Sequence, residues 1–160
     1  MLLARAFLAA LLLLHAAASA QGPTLLESYS RATALLNFMT TYVGEVLLGC
    51  AEKKFVTEEQ AEARFSSYQK RNAALTEQAE AWSREAEARL RAQGDEGNAR
   101  RQADQAGLGA VAEASTRAQG ELGTAKDLRA FCTARLAAIE SGSYDLSVNR
   151  ELTELLKTKP

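Results

Sequence analysis

The stretch from Thr57 to Ala86, TEEQAEARFSSYQKRNAALTEQAEAWSREA, decides the fold. Ala61, Phe65, Tyr68, Asn72, Leu75, Ala79, Trp82 and Ala86 recur at alternating spacings of four and three. Alternation of that kind keeps one apolar seam facing a neighbour along a long helix, as in coiled coils and bundles. Thr57 with Gln60 three residues on is a capping box, and Glu58 and Glu59 suit the positive end of the helix dipole. Asn72 is the one polar member of the seam. Two readings stay open for it: a buried residue that fixes register, or a solvated residue at the seam's edge.

Upstream, a first helix is expected from about Thr24 to Cys50. Leu25, Tyr29, Ala32, Leu36, Met39, Val43, Val46 and Cys50 share one face of it, and Gly49 with the lysines that follow marks its end. Downstream, QGDEGN at 93–98 is the clearest turn in the chain. A third helical region should follow from about Ala99 to Glu140. Its stripe reads Val111, Ala114, Ala118, Leu122, Ala125, Leu128, Cys132, Leu136 and Ile139. Gly107, Gly109, Gly120 and Gly123 weaken this region. The phase nevertheless survives across QGELGTA, so a mostly continuous helix is expected. SGSYD at 141–145 ends it, and a short amphipathic helix carrying Val148, Leu152, Leu155 and Leu156 closes the chain, capped by Ser147 or Asn149. The expected fold is therefore all-α: an antiparallel, coiled-coil-like bundle of three long helices with a short fourth C-terminal helix.

The beginning of the sequence, MLLARAFLAALLLLHAAASAQG, has a basic residue, an apolar run and the small-x-small triplet Ala18-Ser19-Ala20. It reads as a secretory signal peptide over 1–20, leaving one helical domain over 21–160 in the periplasm or outside the cell. LLGC at 47–50 has the letters of a bacterial lipid-attachment signal but lies a whole helix past the signal peptide, so Cys50 is not read as an anchor. No later stretch approaches 18 uninterrupted apolar residues, so stable membrane insertion after signal cleavage is not expected.

The mature region holds two cysteines, Cys50 and Cys132. With three helices folding back on one another, both fall at the same end of the bundle and on apolar stripes. In an exported chain this points to a Cys50–Cys132 disulfide.

Composition removes several function classes. The one histidine, His15, lies in the signal peptide, so the mature region lacks the usual general base near neutral pH and the commonest transition-metal ligand. No CxxC pair or phosphate-binding glycine loop follows a strand pattern, and no cofactor, catalytic residue or metal site is assigned. Of 19 lysines and arginines, removal of Arg5 leaves 18 against 20 acids, which gives no basic footprint for nucleic acid. The charges that flank the seam, Glu80–Arg84 and Glu85–Arg89 among them, read as i,i+4 pairs on a solvated face.

The first helix differs from the second on its outside. Glu27, Arg31 and Glu45 are its only charges, whereas Phe38, Tyr42, Asn37 and Thr41 give a polar, nearly uncharged and partly aromatic surface. That surface suits contact with a protein partner or a second copy. The alternative is that the C-terminal helix folds back over it. The function expected on these grounds is non-enzymatic binding or scaffolding through protein contact, with an amphipathic-helix carrier of lipid or another apolar ligand as the second reading.

Overall fold

A computed structural model describes residues 23–160. The expected signal peptide at 1–20 lies outside the described residues. Five α-helices follow in order: α1 (Leu25–Glu52), α2 (Glu58–Ala92), α3 (Glu96–Thr124), α4 (Leu128–Glu140) and, after a 3-10 turn at Leu146–Val148, α5 (Arg150–Lys157). The described residues contain no strand.

Four of the five helix starts carry a side-chain cap, and α3, which follows Asp95, does not. Thr24 caps α1 through a reciprocal box with Glu27, and Thr57 caps α2 through the same arrangement with Gln60. Asp127 caps α4 by accepting from the Ala130 amide, and Asn149 caps α5 by accepting from the Leu152 amide. The ends of α1, α2 and α4 share one pattern. Each is followed by a left-handed residue, Lys54 (φ 62°), Gly94 (φ 78°) and Gly142 (φ 82°). The next amide in each case returns to a carbonyl of the last turn: Phe55 to Cys50, Asp95 to Leu90, Ser143 to Ala138.

Helix α1 runs up, α2 returns and α3 runs up again beside α1. The α2 seam is inside as its spacing predicts: Ala61, Tyr68, Asn72, Ala79, Trp82 and Ala86 are buried, and Leu90 extends it by another turn. One core cluster gathers Val43, Val46, Leu47, Cys50, Tyr68 and Ile139. The other gathers Ala32, Ala79, Trp82, Leu146, Leu152 and Leu156. The C-terminal segment thus completes the second cluster, and the Trp82 indole donates to the Thr158 carbonyl at 2.9 Å. By length and average composition α1 would be apolar enough to cross a membrane, although no uninterrupted apolar run marks it in the sequence. Here it is the central helix, with Ala32, Val43, Val46, Leu47 and Cys50 buried by its neighbours.

Cys50 and Cys132 form the expected disulfide, with Cα atoms 5.8 Å apart and a sequence separation of 82. Closing a loop of that length removes unfolded-state entropy worth about 4 kcal/mol in the chain-entropy account. The bond joins the end of α1 to α4.

Two expectations for the third helical region are corrected. It is not continuous: Ala125 turns to an extended conformation (φ −62°, ψ 119°) and Asp127 opens a new helix. The break falls after the glycines, because the Asp127 side chain offers the backbone a competing cap. The stripe also shifts upstream of Ala114. Val111 is exposed and Leu108 is 70% exposed, while Ala99, Ala103, Gly107 and Ala110 face inward. Close approach explains the shift: a Cβ on Gly107 would stand 2.6 Å from Asn37 Nδ2 and 3.4 Å from Thr33 Cγ2. Only small residues let α3 lie that near α1.

Candidate functional site

The four residues proposed for a partner surface do not form one open face. Asn37 is turned against Gly107 of α3. One turn either side of Thr41 on the same edge of α1, Asn37 meets Gly107 and Glu45 accepts from Ser115 Oγ at 3.0 Å, and Thr41 itself is half-buried. The outside of α1 is therefore covered chiefly by α3, not by the C-terminal helix alone. Phe38 and Tyr42 remain together. Their rings are stacked, with centroids 6.1 Å apart. Tyr42 is buried and Phe38 half-buried.

These two rings stand in a groove of about 400 Å³ bounded by α1, α3 and the chain from Tyr144 to Asn149. Leu35, Phe38 and Met39 give the α1 side, Ala110 keeps the α3 side low, and Arg31 and Arg117 stand at its two ends. Asn149 Nδ2 donates to Met39 Sδ at 3.3 Å while its side-chain oxygen caps α5, which fixes the third wall. Tyr144 meets Tyr42 with ring centroids 5.6 Å apart.

The Arg117 end is built around one carboxylate. Glu121 accepts from Tyr42 Oη at 2.6 Å, Arg117 Nε at 3.0 Å and Arg135 Nη2 at 2.9 Å. Arg135 also reaches the Tyr144 hydroxyl and lies over the Phe131 ring. Arg117 lies over both Phe38 and Tyr42, 6.0 and 5.5 Å from the ring centroids. Burial alone would raise the Glu121 carboxyl, but the Tyr42 and Arg117 hydrogen bonds and the charge of Arg135 outweigh it and hold the group below the usual carboxylate range. Burial, with the bond to Glu121, pushes the Tyr42 phenol well above its ordinary value. Glu121 is thus held ionised and engaged by three donors. It anchors the groove wall and is poorly placed to carry a proton in catalysis.

Elsewhere, charges pair at the surface. Arg31 Nη2 bonds Glu151 at 3.0 Å, Arg64 Nε bonds Glu140 at 2.7 Å, and Arg71 Nη2 meets Asp145 at 3.0 Å and the Ile139 carbonyl at 2.6 Å. The expected pairs Glu80–Arg84 and Glu85–Arg89 are present at 3.7 and 3.0 Å. Among the described residues, no three His, Cys, Asp or Glu side chains converge as a metal site would require.

Reading the sequence for helix faces identified Phe38 and Tyr42 but passed over Arg117, Glu121, Arg135 and Tyr144. Arg117 and Glu121 stand four residues apart, a visible i,i+4 signal. Tyr144 sits in SGSYD, which reads only as a helix terminator until the chain is seen to fold back across α1. No known family, curated protein or solved structure matches the chain.

Proposed function

We propose that this chain is an exported, non-enzymatic helical binding or scaffolding protein that acts by contact with another protein. One observation carries the reading: the groove presents a half-buried phenylalanine under an arginine, beside two further tyrosines. Aromatic and arginine side chains in a desolvated depression are the residue types that dominate interface energetics. The disulfide and the signal-like N-terminal sequence support an oxidising destination, periplasmic or extracellular. The lack of histidine after residue 15 and the pairing of both cysteines support a role without acid–base or thiolate chemistry.

Affinity capture from the native envelope or culture fluid tests this, with the oxidised protein and a Phe38→Glu variant side by side. The expected result is a protein recovered by the first and depleted at least tenfold with the second. Equal recovery by both, or light scattering that shows both as monomers with no captured protein, would remove the reading.

The carrier reading keeps one supporting observation, the predominantly apolar groove floor. The disulfide opposes it by tying α1 to α4 and limiting how far the helices can part. Native mass spectrometry separates the two, since a carrier would retain lipid after purification.

A further inference from the structure

We infer that the groove accepts an acidic, apolar peptide segment, with one large apolar side chain on Phe38 and Met39 and a neighbouring carboxylate on the outer edge of Arg117. The inference rests on the protein-contact reading and names the chemistry of the partner. Arg117 Nε is committed to Glu121, which fixes the plane of the guanidinium. Among the described residues its Nη1 and Nη2 make no hydrogen bond, and the side chain stays 58% exposed above the two rings. A guanidinium edge held in this way matches a carboxylate with two parallel hydrogen bonds.

Local charge favours an anion at that end. Glu121 is shared by Arg117 and Arg135, so the cluster of three carries one net positive charge. Glu113, one turn before Arg117 on the same wall, disfavours a second acid further along. Arg31, at the opposite end, is already paired with Glu151. The dimensions suit a short peptide segment, and the protein-contact reading selects it over a lipid. From Arg31 to Tyr42 the wall rises about 16 Å along α1, which four or five extended residues cover at about 3.3 Å each. A volume of about 400 Å³ holds one or two large side chains.

A random peptide library displayed against the mature oxidised protein tests this, with Arg117→Glu, Arg117→Lys and Phe38→Glu variants in parallel. Circular dichroism and thermal midpoints check that each variant is folded. Arg117→Lys preserves the charge if the reversal disturbs Glu121. The expected enrichment is Asp or Glu within three residues of Phe, Leu, Ile or Trp. A synthetic peptide of the selected sequence should bind at least tenfold more weakly to Arg117→Glu and to Phe38→Glu, several-fold more weakly to Arg117→Lys, and more weakly at higher salt. Enriched sequences without an acid, or binding indifferent to Arg117→Glu, would overturn the inference. Acidic peptides that bind Phe38→Glu unchanged would overturn it and leave protein contact elsewhere on the chain standing. No enrichment together with binding to phosphatidylglycerol vesicles would overturn both this inference and the protein-contact reading.

Discussion

The side-chain oxygen of Asn72, in the middle of α2, accepts the backbone amide of Leu146 at 2.7 Å, and its amide nitrogen donates to the Tyr68 carbonyl at 2.8 Å. Asn72 is 4% exposed and Leu146 1%. The one polar residue of the seam therefore docks the C-terminal segment onto the bundle, and it does so by satisfying a backbone donor that burial would otherwise leave alone. Replacing Asn72 with Leu should strand the Leu146 amide and cost about 1–3 kcal/mol. Urea unfolding would show this as a lower midpoint. Because Trp82 packs in the same cluster, its emission should also shift to the red in the variant before global unfolding.

Lys54 occupies a left-handed conformation that Gly94 and Gly142 occupy at the equivalent places after α2 and α4. A side chain there is strained by about 1–2 kcal/mol, which glycine avoids. Its extra freedom in the unfolded chain returns part of that gain. Lys54→Gly should stabilise the protein by about 0.5–1 kcal/mol. Calorimetry should show a higher melting temperature with the disulfide intact.

Gly107 and Gly109 lie two residues apart on α3 and should respond in opposite directions. Gly107 faces Asn37 and Thr33 at close range, so Gly107→Val should force α3 away from α1 and cost about 1–3 kcal/mol. Gly109 has open space where a Cβ would stand, so Gly109→Ala should stabilise the helix by about 0.8–1 kcal/mol. Chemical denaturation of the two variants beside the parent checks both signs.

Glu121 gives the fold a pH dependence with a defined sign. Its carboxyl is held below its unfolded value, so its stabilising contribution is complete above the ordinary glutamate value of about 4.3. That contribution is lost as pH falls through the lower folded value. Glu151, lowered by its hydrogen bond to Arg31, has the same sign. Glu121→Gln should cost about 1–3 kcal/mol at pH 7 through its weakened bonds to Arg117 and Arg135. The gap to the parent should narrow as pH falls through that lowered folded value, where the parent's own carboxylate takes up its proton. Stability curves for the two proteins from pH 7 downward measure that convergence.

The helices with bulky seams were legible in the sequence. Phe65, Tyr68, Leu75 and Trp82 declare the buried face of α2 by size and spacing, and Cys50 and Cys132 declare their pairing once the helices are folded back. The face of α3 was not, because it is made of Ala99, Ala103, Gly107 and Ala110, while Leu108 and Val111 point outward. Apolar periodicity weighs a leucine above a glycine, whereas close packing on α1 rewards the absent side chain. The groove was half legible for a related reason. Phe38 and Tyr42 lie on a helix whose face can be drawn from the sequence. Tyr144 reaches them because the C-terminal segment is held across the bundle, by Asn72 and Trp82 among other residues, in contacts between residues more than 70 positions apart.

The central claim, contact with another protein through the Phe38 groove, is tested most directly by photo-crosslinking. A benzoyl-phenylalanine placed at position 38 would be activated in the native envelope or secreted fluid, beside the same probe at exposed Gln102 on α3. Contact through the groove predicts a discrete protein adduct from position 38 and none from 102, diminished when Arg117 is changed to Glu. Adducts of equal yield from both positions, or none from position 38, would contradict it.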